Sequence, residues 1–152
     1  MDNGPHPGTD ARGAAGPDPH AKLFHRFPFV LFDACETIEA GRSIARRLVS
    51  LDDALLEGAP AGPFSQMLLV EAMAQTAALF AESGGRRQSG MLVGLKRITF
   101  GRPPVAGDRL LVEARCVQKF GALVRVEGRV TESGELLAEG EILISLAGGL
   151  EI

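Results

Sequence analysis

The sequence has few of the residues that mark metal, redox or disulfide-stabilised proteins. Its 152 residues include only two cysteines and three histidines. Cys35 and Cys116 match no metal-binding or redox spacing, and two cysteines are too few for a disulfide scaffold. Three histidines without a cysteine cluster also argue against a structural zinc site. We therefore expect reduced thiols, a cytoplasmic location and neither a metal nor a redox cofactor.

Charge and hydropathy argue against two further kinds of partner. The net charge is −3 and no long run carries one sign, so the chain lacks the basic surface that binds nucleic acid. The N-terminus lacks the apolar stretch of a signal peptide. The longest apolar stretch, residues 67–81, is interrupted by Glu71 and Gln75 and is too short to span a bilayer. We expect a soluble protein with neither a nucleic-acid nor a membrane partner.

The chain divides into two parts of different composition. Residues 1–21 hold four of the nine prolines and four of the nineteen glycines, with almost no bulky apolar side chain. Such a segment cannot bury enough surface to offset the entropy cost of ordering it. We predict a disordered tail over residues 1–21 and a single domain over residues 22–152, which is long enough to bury a core.

The second part predicts strands around one helix. The short apolar run 29–34 indicates a buried strand, and residues 41–51 indicate another. Glycine and proline mark a loop over residues 52–64, after which a helix runs from near Ser65, its N-cap, to Glu82. Four strand-like segments follow, which are MLVGLKRITF, DRLLVEARCVQKF, ALVRVEGRVTE and LLAEGEILISL. This order is typical of an α+β fold, and a helix so apolar must be wrapped by the sheet.

Four stretches between Leu23 and Leu146 form a recognisable series, which is HRFPFVLFD, LLVEAMAQTAALF, LVGLKRITFGRPPVAGDRLLVEA and GELLAEGEILI. In sequence and in order they resemble the bacterial 3-hydroxyacyl-acyl-carrier-protein dehydratases. The resemblance implies a hot-dog fold, in which an antiparallel sheet wraps around one long central helix. It also implies a homodimer or higher oligomer with acyl tunnels at the subunit interface. The implied partner is acyl carrier protein bearing a phosphopantetheine-linked acyl chain.

The resemblance also implies which residues carry the chemistry. The family removes water from a 3-hydroxyacyl thioester, using a histidine and an acidic residue from different subunits. One group must take the proton next to the thioester carbonyl, and another must protonate the departing hydroxyl. Glu71 matches the acidic residue, and Gln75 matches a glutamine one turn later. Both are therefore candidate catalytic residues.

The loop that carries the family's histidine departs from the pattern. The matching segment, EGAPAGPFSQ at residues 57–66, is shortened, contains no histidine and has Ala59 near the histidine position. His25 lies in a different family motif, HRFPF, where a positioning hydrogen bond is favoured over a catalytic role. We still expect this loop and the start of the helix to line the substrate site, through Ala59, Pro60, Gly62, Phe64 and Met67.

Three basic residues have two interpretations. Lys96, Arg97 and Arg102 are either a solvated strand face or a lip that docks an acidic carrier protein and its phosphopantetheine phosphate. The segment RPPVAGD, which begins at Arg102, is expected to be structural because its prolines end a strand and restrict a turn.

Three functions remain open. The first is a dehydratase-like protein of fatty-acid or polyketide-type synthesis with a degenerate active site. The second is a non-catalytic acyl-binding or partner subunit, in which Glu71 is an inherited polar residue. The third is an acyl thioesterase, in which an acidic residue directs water at the thioester. The missing histidine leaves open whether the chain is an enzyme.

Overall fold

A computed structural model describes residue 23 and residues 25–58, 62–81 and 89–147. Within these residues the chain forms one helix and six strands. In chain order the elements are β1 (Ala34–Glu39), β2 (Arg42–Leu48), α1 (Gln66–Ala81), β3 (Ser89–Phe100), β4 (Arg109–Phe120), β5 (Leu123–Glu132) and β6 (Glu135–Ala147).

The six strands form one antiparallel sheet in the order β1-β2-β4-β5-β6-β3. The helix contacts every one of these strands. A single helix can reach all six strands only if the sheet curves around it, so α1 fills the concave side. The predicted α+β arrangement, an antiparallel sheet around one long helix, is confirmed.

The helix is buried because nearly its whole surface is apolar. The side chains of Leu69, Val70, Met73 and Ala77 are at most 1% exposed and belong to the main hydrophobic core. Burial on several sides of a helix is expected where a sheet surrounds it. In the ranges that the structure describes, no helix has the length and apolar character needed to cross a membrane.

Truncating Met73 tests how much this helix contributes to stability. Met73 is fully buried and lies so close to Gly128 of β5 that a side chain at Gly128 would overlap it. Met73→Ala should lower the free energy of unfolding by about 2–5 kcal/mol, because it leaves a cavity. Met67→Ala, at a position 57% exposed on the same helix, should change it by less than about 0.5 kcal/mol. Unfolding free energies are measured by denaturant titration. If both variants lose the same small amount, the helix is not wrapped by the sheet as described.

One predicted strand is wrong. Residues 29–34 were expected to form a buried strand, but β1 begins only at Ala34. The Gln75 side-chain amide takes the place of a neighbouring strand: its Oε1 accepts the Leu31 N–H at 2.9 Å and its Nε2 donates to the Phe29 carbonyl at 2.8 Å. These backbone groups are therefore satisfied by α1 rather than by the sheet. The burial expected from the apolar run holds only in part: Leu31 and Phe32 are at most 1% exposed, whereas Phe29 is 40% exposed.

The other predicted elements are confirmed where the structure describes them. β2 lies within residues 41–51, α1 begins one residue after Ser65, and β3 to β6 cover the four later segments. The ESGE turn is a two-residue hairpin with positive φ at Ser133 (46°) and Gly134 (86°), as the tight turns between antiparallel strands require. The predicted tail, residues 1–21, lies outside the described residues. It stays a prediction, as does the division into a tail and one domain.

Candidate active site

Glu71 lies in the second turn of α1 beside two other polar side chains. Its Oε1 is 3.1 Å from Gln75 Nε2 and 3.2 Å from His25 Nε2. The Glu71 side chain is 24% exposed, so this carboxyl group reaches solvent although the helix is otherwise buried. The structure thus brings together the two candidate catalytic residues and adds a histidine to them.

Gln75 orients this cluster because its amide is fully paired. It is four residues after Glu71, which places both side chains on one side of the helix. Its Oε1 accepts from Leu31, and its Nε2 donates both to Phe29 and to Glu71. An amide nitrogen carries two hydrogens, and both are used. Gln75 is 1% exposed, so its side chain is held in one orientation.

The turn that precedes β1 places His25 next to Glu71. The Phe29 N–H donates to the Arg26 carbonyl at 2.8 Å. The His25 and Phe29 rings pack with their centroids 5.9 Å apart. Because Gln75 holds the Phe29 carbonyl, it also holds this turn against α1.

Sequence reasoning missed the contact between His25 and Glu71. The two residues are far apart in the chain, so no helix or strand spacing indicates that they meet. One signal was available. His6 and His20 both fall in the predicted tail, which leaves His25 as the only histidine of the predicted domain.

The proposed substrate-site residues are only partly described. Ala59 and Pro60 lie outside the described residues. Gly62 packs directly against the backbone of Glu57, where a Cβ would overlap the Glu57 carbonyl oxygen. Phe64 is 1% exposed and packs in the core beneath the Arg47 guanidinium, 5.3 Å from its ring centroid. Met67 lies on the first turn of α1 and is 57% exposed. The Met67 side chain is open to a ligand, whereas the Phe64 ring is buried in the core.

The three basic residues of the proposed docking lip differ in their environments. Arg102 donates to Asp108 at 2.7 and 3.3 Å and to Glu135 at 3.0 Å. These hydrogen bonds, that of Asp108 foremost, raise the pKa of Arg102 and compensate its charge. Arg97 is paired with Glu141. Lys96 is exposed, and its side chain forms no ion pair or hydrogen bond in the described part of the chain. The structural role expected for the segment that begins at Arg102 therefore fits its geometry, and Lys96 is the least compensated charge of the three.

Asp108 gives this turn a predicted pH dependence. Burial opposes ionisation of Asp108, but hydrogen bonds from Arg102 and the Val105 N–H outweigh it and hold the pKa of Asp108 below its usual value. A carboxyl group with a lowered folded-state pKa stabilises the fold above its unfolded pKa of about 3.9, and that contribution is lost as the pH falls through the folded value. Asp108→Asn should therefore cost about 1–3 kcal/mol of unfolding free energy at pH 7.

The difference between wild type and Asp108→Asn should narrow as the pH is lowered below about 4, measured by denaturant titration at each pH. Glu135→Gln is the matched control, because the Glu135 side chain is 53% exposed and an exposed ion pair contributes less than about 1 kcal/mol. If the difference in unfolding free energy between wild type and Asp108→Asn stays constant down to pH 2, the ionised carboxylate is not what stabilises the turn.

The resemblance also implies acyl tunnels at the subunit interface. A cavity of about 620 Å³ is lined by charged residues of β3 to β6, including Glu113, Arg115, Glu127 and Arg129. These alternate with the buried valines and alanine that face α1, so the cavity lies on the outer face of the sheet. It is not the predicted tunnel, which stays a prediction.

Sequence comparisons identify related proteins over most of the chain. A family model described as ApeP-like, ApeP dehydratase, matches residues 17–147. The 3-hydroxyacyl-[acyl-carrier-protein] dehydratase FabZ of Listeria monocytogenes is 32% identical over 130 residues, covering 82% of this chain and 90% of that protein. FabZ of Bordetella petrii is 33% identical over 136 residues, with the same coverage of 82% and 90%.

Solved structures share the fold. The dehydratase heterocomplex ApeI:P from Xenorhabdus doucetiae aligns with a TM-score of 0.76 over 86% of this chain and 91% of that chain, at 18% identity. The protein smu.793 from Streptococcus mutans, solved with acetyl CoA, aligns with a TM-score of 0.64 over 83% and 96%, at 22% identity. These likenesses confirm the hot-dog fold. The chain belongs to the ApeP-like dehydratase family and is a dehydratase-like protein of fatty-acid or polyketide-type synthesis.

Proposed function

We propose that the chain takes part in dehydrating 3-hydroxyacyl chains presented by acyl carrier protein, with Glu71 as the principal acid/base group and Gln75 as its partner. The observation that carries this proposal is a partly exposed carboxyl group on an otherwise apolar helix, held by two side-chain donors. The FabZ relatives support the substrate class, since they are named for this reaction. The cytoplasmic location stays a prediction.

The reaction divides into two proton transfers. A base removes the proton next to the thioester carbonyl, and the electron pair forms the carbon–carbon double bond as the β-hydroxyl leaves. An acid protonates that hydroxyl, so that it departs as water. Glu71 is suited to the second step. In the resembled family, the loop histidine is the expected base, and in this chain Ala59 lies near that position. Either a second subunit supplies the base, or the chain dehydrates its substrate slowly.

The β3 edge is where we propose that this second subunit binds. Among the described residues, β3 ends the sheet and pairs on one side only, with β6. Three apolar side chains at alternate positions are exposed on it: Met91 is 70% exposed, Val93 49% and Leu95 46%. A long, apolar, unpaired edge strand is a template for association. The heteromeric ApeI:P structure supports a partner that is a different dehydratase-like chain, and a second copy of this chain is the alternative.

Carrier-protein docking is proposed at the same end of β3. Lys96 follows the exposed apolar residues and carries the uncompensated charge, which an acidic carrier protein or its phosphopantetheine phosphate would complement. Arg97 and Arg102 remain in the proposed lip, but their ion pairs with Glu141 and Asp108 assign them a smaller share of the attraction.

A non-catalytic partner subunit is the second candidate function, and the alanine at the histidine position favours it.

Purified protein should be mixed with 3-hydroxyacyl acyl carrier protein, and the carrier-bound chain followed by mass spectrometry. Loss of water supports the proposed function. Release of free thiol indicates a thioesterase. Binding of the carrier protein without any change in the chain indicates a silent subunit.

A further inference from the structure

We infer that His25 is a positioning residue for the reaction: it holds Glu71 Oε1 through its Nε2–H, so that Glu71 Oε2 is the oxygen that meets the substrate. This inference rests on the proposed function of Glu71. It explains why a histidine outside the catalytic loop lies at the site.

Both side-chain donors meet the same carboxylate oxygen. Gln75 Nε2 and His25 Nε2 lie 3.1 and 3.2 Å from Glu71 Oε1. Within the described residues, no donor reaches Glu71 Oε2. Two donors on one oxygen hold the carboxylate plane and leave the lone pairs of the second oxygen free. Since the carboxyl group is partly exposed, the free oxygen is the one that can approach a ligand.

The environment of His25 determines which nitrogen carries its proton. Its Nδ1 is buried and has no hydrogen-bond partner in the described residues. A proton on Nδ1 would be a buried donor without an acceptor, which costs about 1–3 kcal/mol. A proton on Nε2 points instead at a carboxylate oxygen. Of the two neutral tautomers, the one with its proton on Nε2 is therefore favoured.

The same geometry argues against His25 as the missing base. A base needs a nitrogen that faces the substrate proton. Nε2 is occupied by Glu71, and Nδ1 is buried. Neither nitrogen is free to receive the proton next to the thioester carbonyl. His25 therefore acts through Glu71 rather than in place of the loop histidine.

Three substitutions separate positioning from proton transfer. In His25→Gln, the side-chain amide nitrogen can occupy the position of the imidazole Nε2. In His25→Asn, the amide nitrogen reaches only the position of Nδ1. His25→Phe keeps an aromatic ring but has no hydrogen-bond donor. We expect His25→Asn and His25→Phe to lower kcat by about 10²-fold, the effect of a misplaced catalytic group, with KM little changed. His25→Gln should keep kcat within about tenfold of wild type. Thermal melting of each variant checks that it is folded.

The outcomes are distinct. If His25→Gln loses as much activity as His25→Phe, the imidazole itself transfers a proton and the inference is wrong. If all three variants match wild type, His25 has no role in the reaction and the inference is also wrong.

A second measurement does not depend on turnover. In ¹⁵N NMR spectra, His25 should show a protonated Nε2 and an unprotonated Nδ1, and Glu71→Gln should shift the Nε2 signal. An Nε2 signal that is unprotonated, or indifferent to Glu71→Gln, overturns the inference whatever the activity. If the contact is present but wild type forms no dehydrated product, the proposed function fails while the contact stands.

Discussion

Replacing Glu71 by glutamine should lower the dehydration rate by about 10²–10⁴-fold, the usual effect of removing one proton-transfer group. Glutamine keeps the shape of the side chain, and its Oε1 can still accept from Gln75 and His25. The substitution removes only the acidity and the charge. The unfolding free energy should therefore change little, while product formation on the carrier protein, measured by mass spectrometry, nearly stops.

The matched control for this experiment is Glu39→Gln. Glu39 is an exposed residue at the end of β1, so the same change of charge there should leave the rate within a factor of about two. If wild type dehydrates the substrate and Glu71→Gln does so equally well, Glu71 is only an inherited structural residue.

Placing a charge on the β3 edge should dissociate the assembly. Val93 is exposed at the unpaired edge of the sheet, and a second subunit that binds there would bury it. An unpaired lysine buried in the interface costs several kcal/mol, and each 1.4 kcal/mol is tenfold in affinity. Val93→Lys should therefore weaken the assembly by about 10²-fold or more and reduce dehydration with it, as followed by sedimentation over a range of concentrations.

Val117→Lys controls for the new charge itself. Val117 is 40% exposed but lies on β4, inside the sheet order, so the assembly should be unchanged. Equal dissociation by both variants would point to a general loss of solubility. If wild type is a monomer at every concentration, alone and with any dehydratase-like partner, the proposed edge is not an interface.

The regular elements could be predicted because their patterns are local. In β5, buried Val124, Val126 and Val130 alternate with more exposed positions, which is the two-residue period of a strand. The helix is similarly visible in its long apolar stretch. The strand predicted at residues 29–34 failed because the competing interaction is distant. The Gln75 amide, far along the chain, takes the backbone groups that a neighbouring strand would otherwise pair.

The candidate site was predicted by resemblance rather than by pattern. Glu71 and Gln75 are four residues apart on one helix, so their contact follows from helix geometry. The part played by His25 depends on how a turn folds back onto α1, and no property of HRFPF alone specifies the acceptor of its imidazole. The charges of Arg97 and Arg102 were likewise visible in the sequence, but their ion pairs with Glu141 and Asp108 depend on the register of the sheet.

The most direct test is a crystal structure of the protein, with its second subunit, bound to a 3-hydroxyacyl pantetheine amide. The amide makes the neighbouring carbon–hydrogen bond less acidic than in the thioester, so the ligand should remain intact. We expect its β-hydroxyl to lie about 2.6–3.2 Å from Glu71 Oε2, with Gln75 and His25 still donating to Oε1. A hydroxyl that lies beyond hydrogen-bond reach of both Glu71 oxygens, with the acyl chain bound elsewhere on the fold, would contradict the assignment of Glu71 as the acid/base group.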